Sequence, residues 1–168
     1  MKKWTNMMLG LTLGMAVFAT DSYGGSRLGA GVNYWVALDD VDVENVDDNG
    51  FSYYISYQHR GDHLLGFQAD LELLPDRFGE DAWAPQAYVV IGKSLYAAAG
   101  AGWVYSDGDF ADEPFFALKA GFDLEIVSGL YLDLNVNYRF NDKADLEGEG
   151  TDIDTDTIFF GAAVRFGF

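Results

Sequence analysis

Between Leu130 and Phe140 the chain alternates strictly. Leu132, Leu134, Val136, Tyr138 and Phe140 share one face of an extended strand, and Asp133, Asn135, Asn137 and Arg139 share the other. A helix would scatter both sets. The same period of two predicts a first strand with Leu28, Ala30, Val32, Tyr34 and Val36 outward, a second with Phe51, Tyr53, Ile55 and Tyr57, and a third with Leu65, Phe67, Ala69, Leu71 and Leu73. A less regular fourth runs from Trp83 to Gly92, a fifth from Leu95 to Ser106, a sixth from Phe115 to Ile126, and an eighth from Thr157 to Phe168. Segments of about 10 to 12 residues match strands tilted across a bilayer.

The connections alternate in length. Gly61-Asp62-His63, Gly92-Lys93-Ser94 and Val127-Ser128-Gly129 are tight turns, whereas Asp39 to Gly50, Pro75 to Ala82, Asp107 to Glu113 and Asn141 to Asp156 are longer loops. Four long loops and three short turns in strict alternation predict an all-β fold, a transmembrane antiparallel up-and-down β-barrel of about eight strands with the loops extracellular and the turns periplasmic. A soluble lipocalin-like barrel shares the face alternation. The Gly-rich, small-residue inner set and the aromatics at strand ends favour the membrane form.

The first segment predicts export. Lys2 and Lys3 precede an apolar run from Met7 to Phe18, and either Val17-Phe18-Ala19 or Ser22-Tyr23-Gly24 offers a cleavage site, so 1–24 reads as a signal peptide and 25–168 as the barrel. That run, about 12 residues, is too short to span as a helix. Loss of Lys2 and Lys3 takes the 10 basic residues to 8 against 27 acidic ones, a charge of −19 after Ala19, or −18 after Gly24 with Asp21 also gone. Such a surface repels nucleic acid. Disorder, the other reading of strong acidity, conflicts with a 49% apolar content. Without cysteine, neither a disulfide nor a thiolate zinc site is available.

The segment Phe160-Gly161-Ala162-Ala163-Val164-Arg165-Phe166-Gly167-Phe168 places Phe160, Ala162, Val164, Phe166 and Phe168 on one face and stops on Phe. This resembles the C-terminal assembly signature of bacterial outer-membrane barrels. Together with Val136-Asn137-Tyr138-Arg139-Phe140 and the acidic loop before the closing strand, it is similar to the small outer-membrane β-barrel families typified by the transmembrane domain of outer-membrane protein A. The resemblance implies Phe160, Val164, Phe166 and Phe168 as the signal read by the barrel-assembly machinery, a Gram-negative outer membrane as the address, and lipid and lipopolysaccharide as surroundings. It lacks the family's peptidoglycan-binding domain, which removes cell-wall anchoring from the implied roles.

The inner set carries Asp70, Glu72, Asp123, Glu125 and Asp133 against Arg27, Arg60, Lys119, Arg139 and Arg165. Charges in a narrow lumen need partners, which predicts an ion-pair core: Asp133 with Arg165, and Asp70 or Glu72 reaching Lys119 or Arg139. An eight-stranded barrel is about filled by side chains, so packing is expected over a narrow solute pore.

Of the 27 acidic residues, 20 fall in the four long loops. The first loop holds Asp39, Asp40, Asp42, Glu44, Asp47 and Asp48, and the last has Asp152, Asp154 and Asp156 in alternation, weak candidates for a divalent cation bridging to lipopolysaccharide phosphates. A full calcium-loop pattern is missing, and solvated loops are the expectation. Lipid A modification by an enzyme is the rival class, but His59 and His63 flank a short turn with only Ser56 and Tyr57 as nearby hydroxyls, without a His-x-Ser arrangement. The expectation is a non-enzymatic, cofactor-free monomer with a structural or surface-interaction role, its outward Tyr34, Tyr53, Tyr57, Trp103, Tyr105, Tyr138 and Phe140 serving as lipid-facing bulk.

Overall fold

The computed structural model describes residues 25–38, 49–61, 64–77, 81–106, 108–144 and 153–168, with backbone alone at 141–144 and 153–155. The segment 1–24, expected to be a signal peptide, and the acidic stretch 39–48 lie outside the described residues. Among those described, ten strands form: β1 Ser26–Ala37, β2 Asn49–Arg60, β3 Leu65–Leu74, β4 Ala82–Gly92, β5 Leu95–Gly102, β6 Tyr105–Ser106, β7 Asp109–Phe110, β8 Phe115–Val127, β9 Leu130–Ala144 and β10 Ile153–Gly167. The eight long strands pair antiparallel with their chain neighbours, and β1 meets β10 from Arg27↔Gly167 to Ala37↔Thr157. The sheet closes on itself.

The alternation read from the sequence sets the two faces. Outward residues such as Phe51, Tyr53, Leu118, Phe122, Leu134, Val136 and Phe166 are exposed, and their inward neighbours Ser52, Tyr54, Lys119, Asp123, Asp133, Asn135 and Arg165 are buried. A soluble barrel would bury the first set and wet the second.

Three elements depart from the sequence-based expectation. The fifth strand stops at Gly102 instead of reaching Ser106, because Pro85 of β4 has no N–H to offer and the β4–β5 ladder ends at Gln86↔Gly102. Beyond it, β6 and β7 make a short hairpin held to β4 at Trp83↔Tyr105. At the other side, β9 runs on to Ala144 and β10 starts at Ile153, so Asp142, Asp154 and Asp156 sit on strand extensions and not in a free loop.

The inner face also carries more bulk than a small-residue lumen, with Trp35, Tyr54, Tyr88, Tyr96, Phe115 and Phe159 all buried. Glycines make the room. A Cβ at Gly31 would stand 2.5 Å from the Tyr54 ring, one at Gly100 2.5 Å from Tyr88, and one at Gly102 2.5 Å from Phe115. In contrast, one at Gly61 would meet nothing nearer than 3.9 Å. Gly100→Val is therefore expected to cost about 1–3 kcal/mol by overpacking, and Gly61→Ala to stay within about 0.5 kcal/mol. Urea midpoints of the refolded variants, read by the heat-shifted gel band, measure both; equal costs would contradict this account of the glycines.

Candidate functional site

Three ionic layers cross the lumen. Nearest the short turns, Asp123 of β8 accepts a hydrogen bond from Arg27 of β1 and lies 3.4 Å from Arg60 Nη2 of β2. Arg60 also closes the end of the barrel: its Nη1 donates to the carbonyls of Gly92 (2.9 Å) and Lys93 (2.8 Å), and its Nε to Gln58 (2.9 Å). The guanidinium of Arg27 stacks 3.5 Å over the ring centroid of Tyr131.

In the middle layer, Lys119 Nζ of β8 donates to Asp70 Oδ2 of β3 across the lumen at 2.9 Å. Gln68 Nε2 donates to the same carboxylate at 2.8 Å and receives a bond from Gln58 at 2.9 Å. Beside them, Arg165 Nη1 lies 2.9 Å from Asp133 Oδ2, both side chains fully enclosed. The register explains this pair: Asp133 of β9 faces Ala163 of β10, and Arg165 is the next inward residue along β10.

Glu72 of β3 holds the layer nearest the long connections. It accepts hydrogen bonds from Arg139 of β9, from Ser52, from Asn33 at 2.7 Å and from Gln86 at 2.7 Å. Four donors on one carboxylate satisfy a charge that would otherwise be too costly to bury.

Glu125 stands apart from this network. Still in register with Tyr131 and just before the β8–β9 register shift, it stands exposed at the turn end of β8, where it accepts the Gly129 N–H at 3.0 Å and ties the last short turn. Its placement in the lumen is thus corrected: the period-two count keeps the inward parity at Glu125, but the strand has by then passed the end of the enclosed lumen.

Arg77 is the interior cation that the strand periodicity missed. It follows β3 in a connection expected to be solvated, yet its side chain is buried and donates to Thr157 Oγ1 at 2.6 Å. Nothing in a strand pattern marks a loop arginine as internal.

Among the described residues no group of three metal-ligating side chains occurs. Asp152 and the side chain of Asp154 lie outside them, and Asp156 accepts a hydrogen bond from Tyr138 at 2.6 Å. Ser56 turns into the lumen beside Arg165, whereas His59 Nδ1 meets Ser26 Oγ at 3.0 Å. On the outer wall, Tyr34, Phe51, Phe122 and Phe160 flank a shallow apolar groove floored by Ala120 and Ala162.

The barrel fold recurs in solved structures. Neisserial surface protein A superposes with a TM-score of 0.61 at 16% identity, over 85% of this chain and 97% of that one. The N-terminal β-barrel domain of OprF from Pseudomonas aeruginosa gives 0.53 at 13%, over 86% and 99%. The outer-membrane protein AlkL, solved in lipid bilayers, gives 0.53 at 12%, over 89% and 93%. The fold is that of a small outer-membrane β-barrel. No protein-family model matches the sequence, and no curated protein matches it.

As an outer-membrane barrel, the chain keeps its charges where lipid cannot reach them, and each pair depends on both members. Asp133→Ala leaves Arg165 buried and uncompensated, an expected loss of about 3–5 kcal/mol, whereas Asp133→Leu with Arg165→Met recovers most of it. Glu125→Gln is expected to change stability by less than about 0.5 kcal/mol. Urea titration of the three refolded variants separates lumen from rim; a large Glu125 effect would return that residue to the network.

Proposed function

We propose that this protein is an exported, monomeric outer-membrane barrel of a Gram-negative cell, closed to solute flow, that serves membrane integrity and surface interaction through its acidic loop end. One observation carries the reading: charged side chains pair across the lumen from Arg27 and Asp123 at the turn end to Glu72 and Arg139 below the loops. An eight-stranded barrel has about enough interior for its own side chains and little beyond. The solved neighbours are outer-membrane proteins, which supports the address.

The acidic loop end supports a surface role. Asp81, Asp109, Asp112 and Glu113 are exposed at that end, beside the loops that hold most of the chain's carboxylates. Their partners would be cationic surfaces, or lipopolysaccharide phosphates bridged by divalent ions. Phe160, Val164 and Phe166 face outward on β10 with Phe168 beyond its end, available to the assembly machinery before the barrel closes. The non-enzymatic reading gains support from Ser26, the hydroxyl nearest His59, which is buried away from any substrate.

Protein refolded in detergent is expected to show a heat-shifted gel band, and in planar bilayers no current steps above the bare membrane. A shifted band accompanied by steady conductance would replace the closed barrel with a narrow pore. Lipid A of unchanged mass after deletion of the gene is the matching outcome for a protein without lipid-modifying activity.

A further inference from the structure

The lipid-facing wall is uneven along one diagonal. Strand pairing sets Leu95 of β5 beside Phe122 of β8, Phe122 beside Leu134 of β9, Leu134 beside Ala162 of β10, and Ala162 beside Val32 of β1. Ala162 is short where its neighbours are long, and so is Ala120, the next outward residue along β8 from Phe122. Here the wall sinks into the groove flanked by Tyr34, Phe51, Phe122 and Phe160. Its outward side chains are apolar except for the Tyr34 hydroxyl, which donates to Asn49 Oδ1 at 3.2 Å.

The groove climbs the wall. Leu95 opens β5 directly after a short turn, whereas Phe51 is the third residue of β2 after a long connection. The strand order β2-β1-β10-β9-β8-β5 separates these ends by five strand spacings. At about 4.8 Å each, on strands tilted by about 40°, they carry the groove up by about 15 Å, half the hydrocarbon core. That rise is the depth of one leaflet, and the slanting, narrow, apolar form suits one extended acyl chain.

A charge stands at the lower end. Lys93 lies two residues before Leu95 in the turn between β4 and β5, and among the described residues it is the only exposed Lys or Arg. Arg27, Arg60, Lys119, Arg139 and Arg165 are committed to carboxylates of the lumen. In a chain with 27 acidic residues against 10 basic ones, an anionic headgroup has few places to settle, and this one adjoins the groove.

We propose that the barrel binds one anionic glycerophospholipid of the periplasmic leaflet at a fixed place, its phosphate at Lys93 and one acyl chain in the groove past Leu95, Phe122 and Ala162. Cations at the membrane surface attract anionic headgroups, and a groove gives a chain contacts on more sides than flat wall does. Lipopolysaccharide, in the opposite leaflet, meets the loop end and not Lys93. The site lies on the outer wall, so it stands whether or not the lumen is closed.

The test is native mass spectrometry of the barrel refolded in detergent with an equimolar mixture of dipalmitoyl phosphatidylglycerol and dipalmitoyl phosphatidylcholine. Wild type should keep one phosphatidylglycerol under activation that strips all other lipid. Lys93→Gln should lower the preference for phosphatidylglycerol about fivefold, the effect of one cation at the membrane surface. Ala162→Phe, which fills the groove floor, should lose the retained lipid of either kind. Ala69→Phe, outward on β3 and away from the groove, should match wild type. The heat-shifted gel band reports which variants are folded, and the wild-type preference is read without any of them.

Wild type that sheds its lipids with no last molecule retained, or that keeps both headgroups equally, would overturn the site. So would folded Ala162→Phe that still holds its lipid, or Lys93→Gln with an unchanged preference. A wild-type dimer that Ala162→Phe splits into monomers would assign the groove to a second copy and overturn the proposal as well. None of these outcomes bears on the closed lumen, whose own test is conductance.

Discussion

A bilayer offers no hydrogen-bond partner to a peptide group, so a sheet that crosses it has no tolerable edge. The β1–β10 ladder from Arg27↔Gly167 to Ala37↔Thr157 is what removes both edges here. Once it forms, every strand has two neighbours and the alternation of side chains becomes a division between lipid and lumen. All else in the molecule follows from that division. The outward half needs only to be apolar, whereas the inward half must fill a confined space and leave few of its polar atoms unmatched.

The inward half fills that space with charge, which is an expensive choice. Removing an ion from water costs several kcal/mol even after relaxation, and attraction to a partner returns it only with good geometry and further hydrogen bonds. Glu72 has four donors, Asp70 has Lys119 and Gln68, and Arg60 has two turn carbonyls besides Asp123. Several of these bonds join strands that are far apart in the sheet: β3 reaches β8 through Asp70 and Lys119, and β9 through Glu72 and Arg139. They are cross-braces. Backbone ladders fix each strand against its neighbours, and these bonds fix opposite walls against each other.

Much of this was legible in the sequence because the signal has a period of two and the barrel repeats it eight times. The faces of β9 and the outward sets of β1, β2 and β3 follow from alternation alone. Partnership across the lumen was legible only as a set of choices, since strand order places β3 opposite β8 and β9 without saying which acid meets which base. The failures lie where periodicity ends. Glu125 keeps the count and its register with Tyr131, but stands exposed where the strand leaves the enclosed lumen, just before the bulge. Arg77 lies in a connection, where no period exists. The end of β5 depended on Pro85 in the neighbouring strand, a relation visible only after the strands are paired.

The aromatic and glycine contents, both high, turn out to be one feature. Inward rings would collide with the facing wall of so narrow a barrel unless the residues under them lacked a Cβ. Tyr54 lies over Gly31, Tyr88 over Gly100 and Phe115 over Gly102, while the Tyr96 hydroxyl would stand 2.9 Å from a Cβ at Gly121. Glycine weakens a strand on its own, and an aromatic side chain covering it restores the lost contact. The flat rings that fill these hollows also present π faces to the lumen, and the cations use them: Lys119 lies 4.2 Å from the Tyr88 centroid, Arg60 5.0 Å from Tyr96 and Arg139 4.7 Å from Phe115. Glycine makes room for the ring, the ring gives the cation a second contact beside its carboxylate, and the cation braces the opposite wall. An aliphatic side chain in the ring's place would fill the volume but supply no face for the charge, so aromatic residues serve the lumen of this barrel as much as its lipid-facing wall.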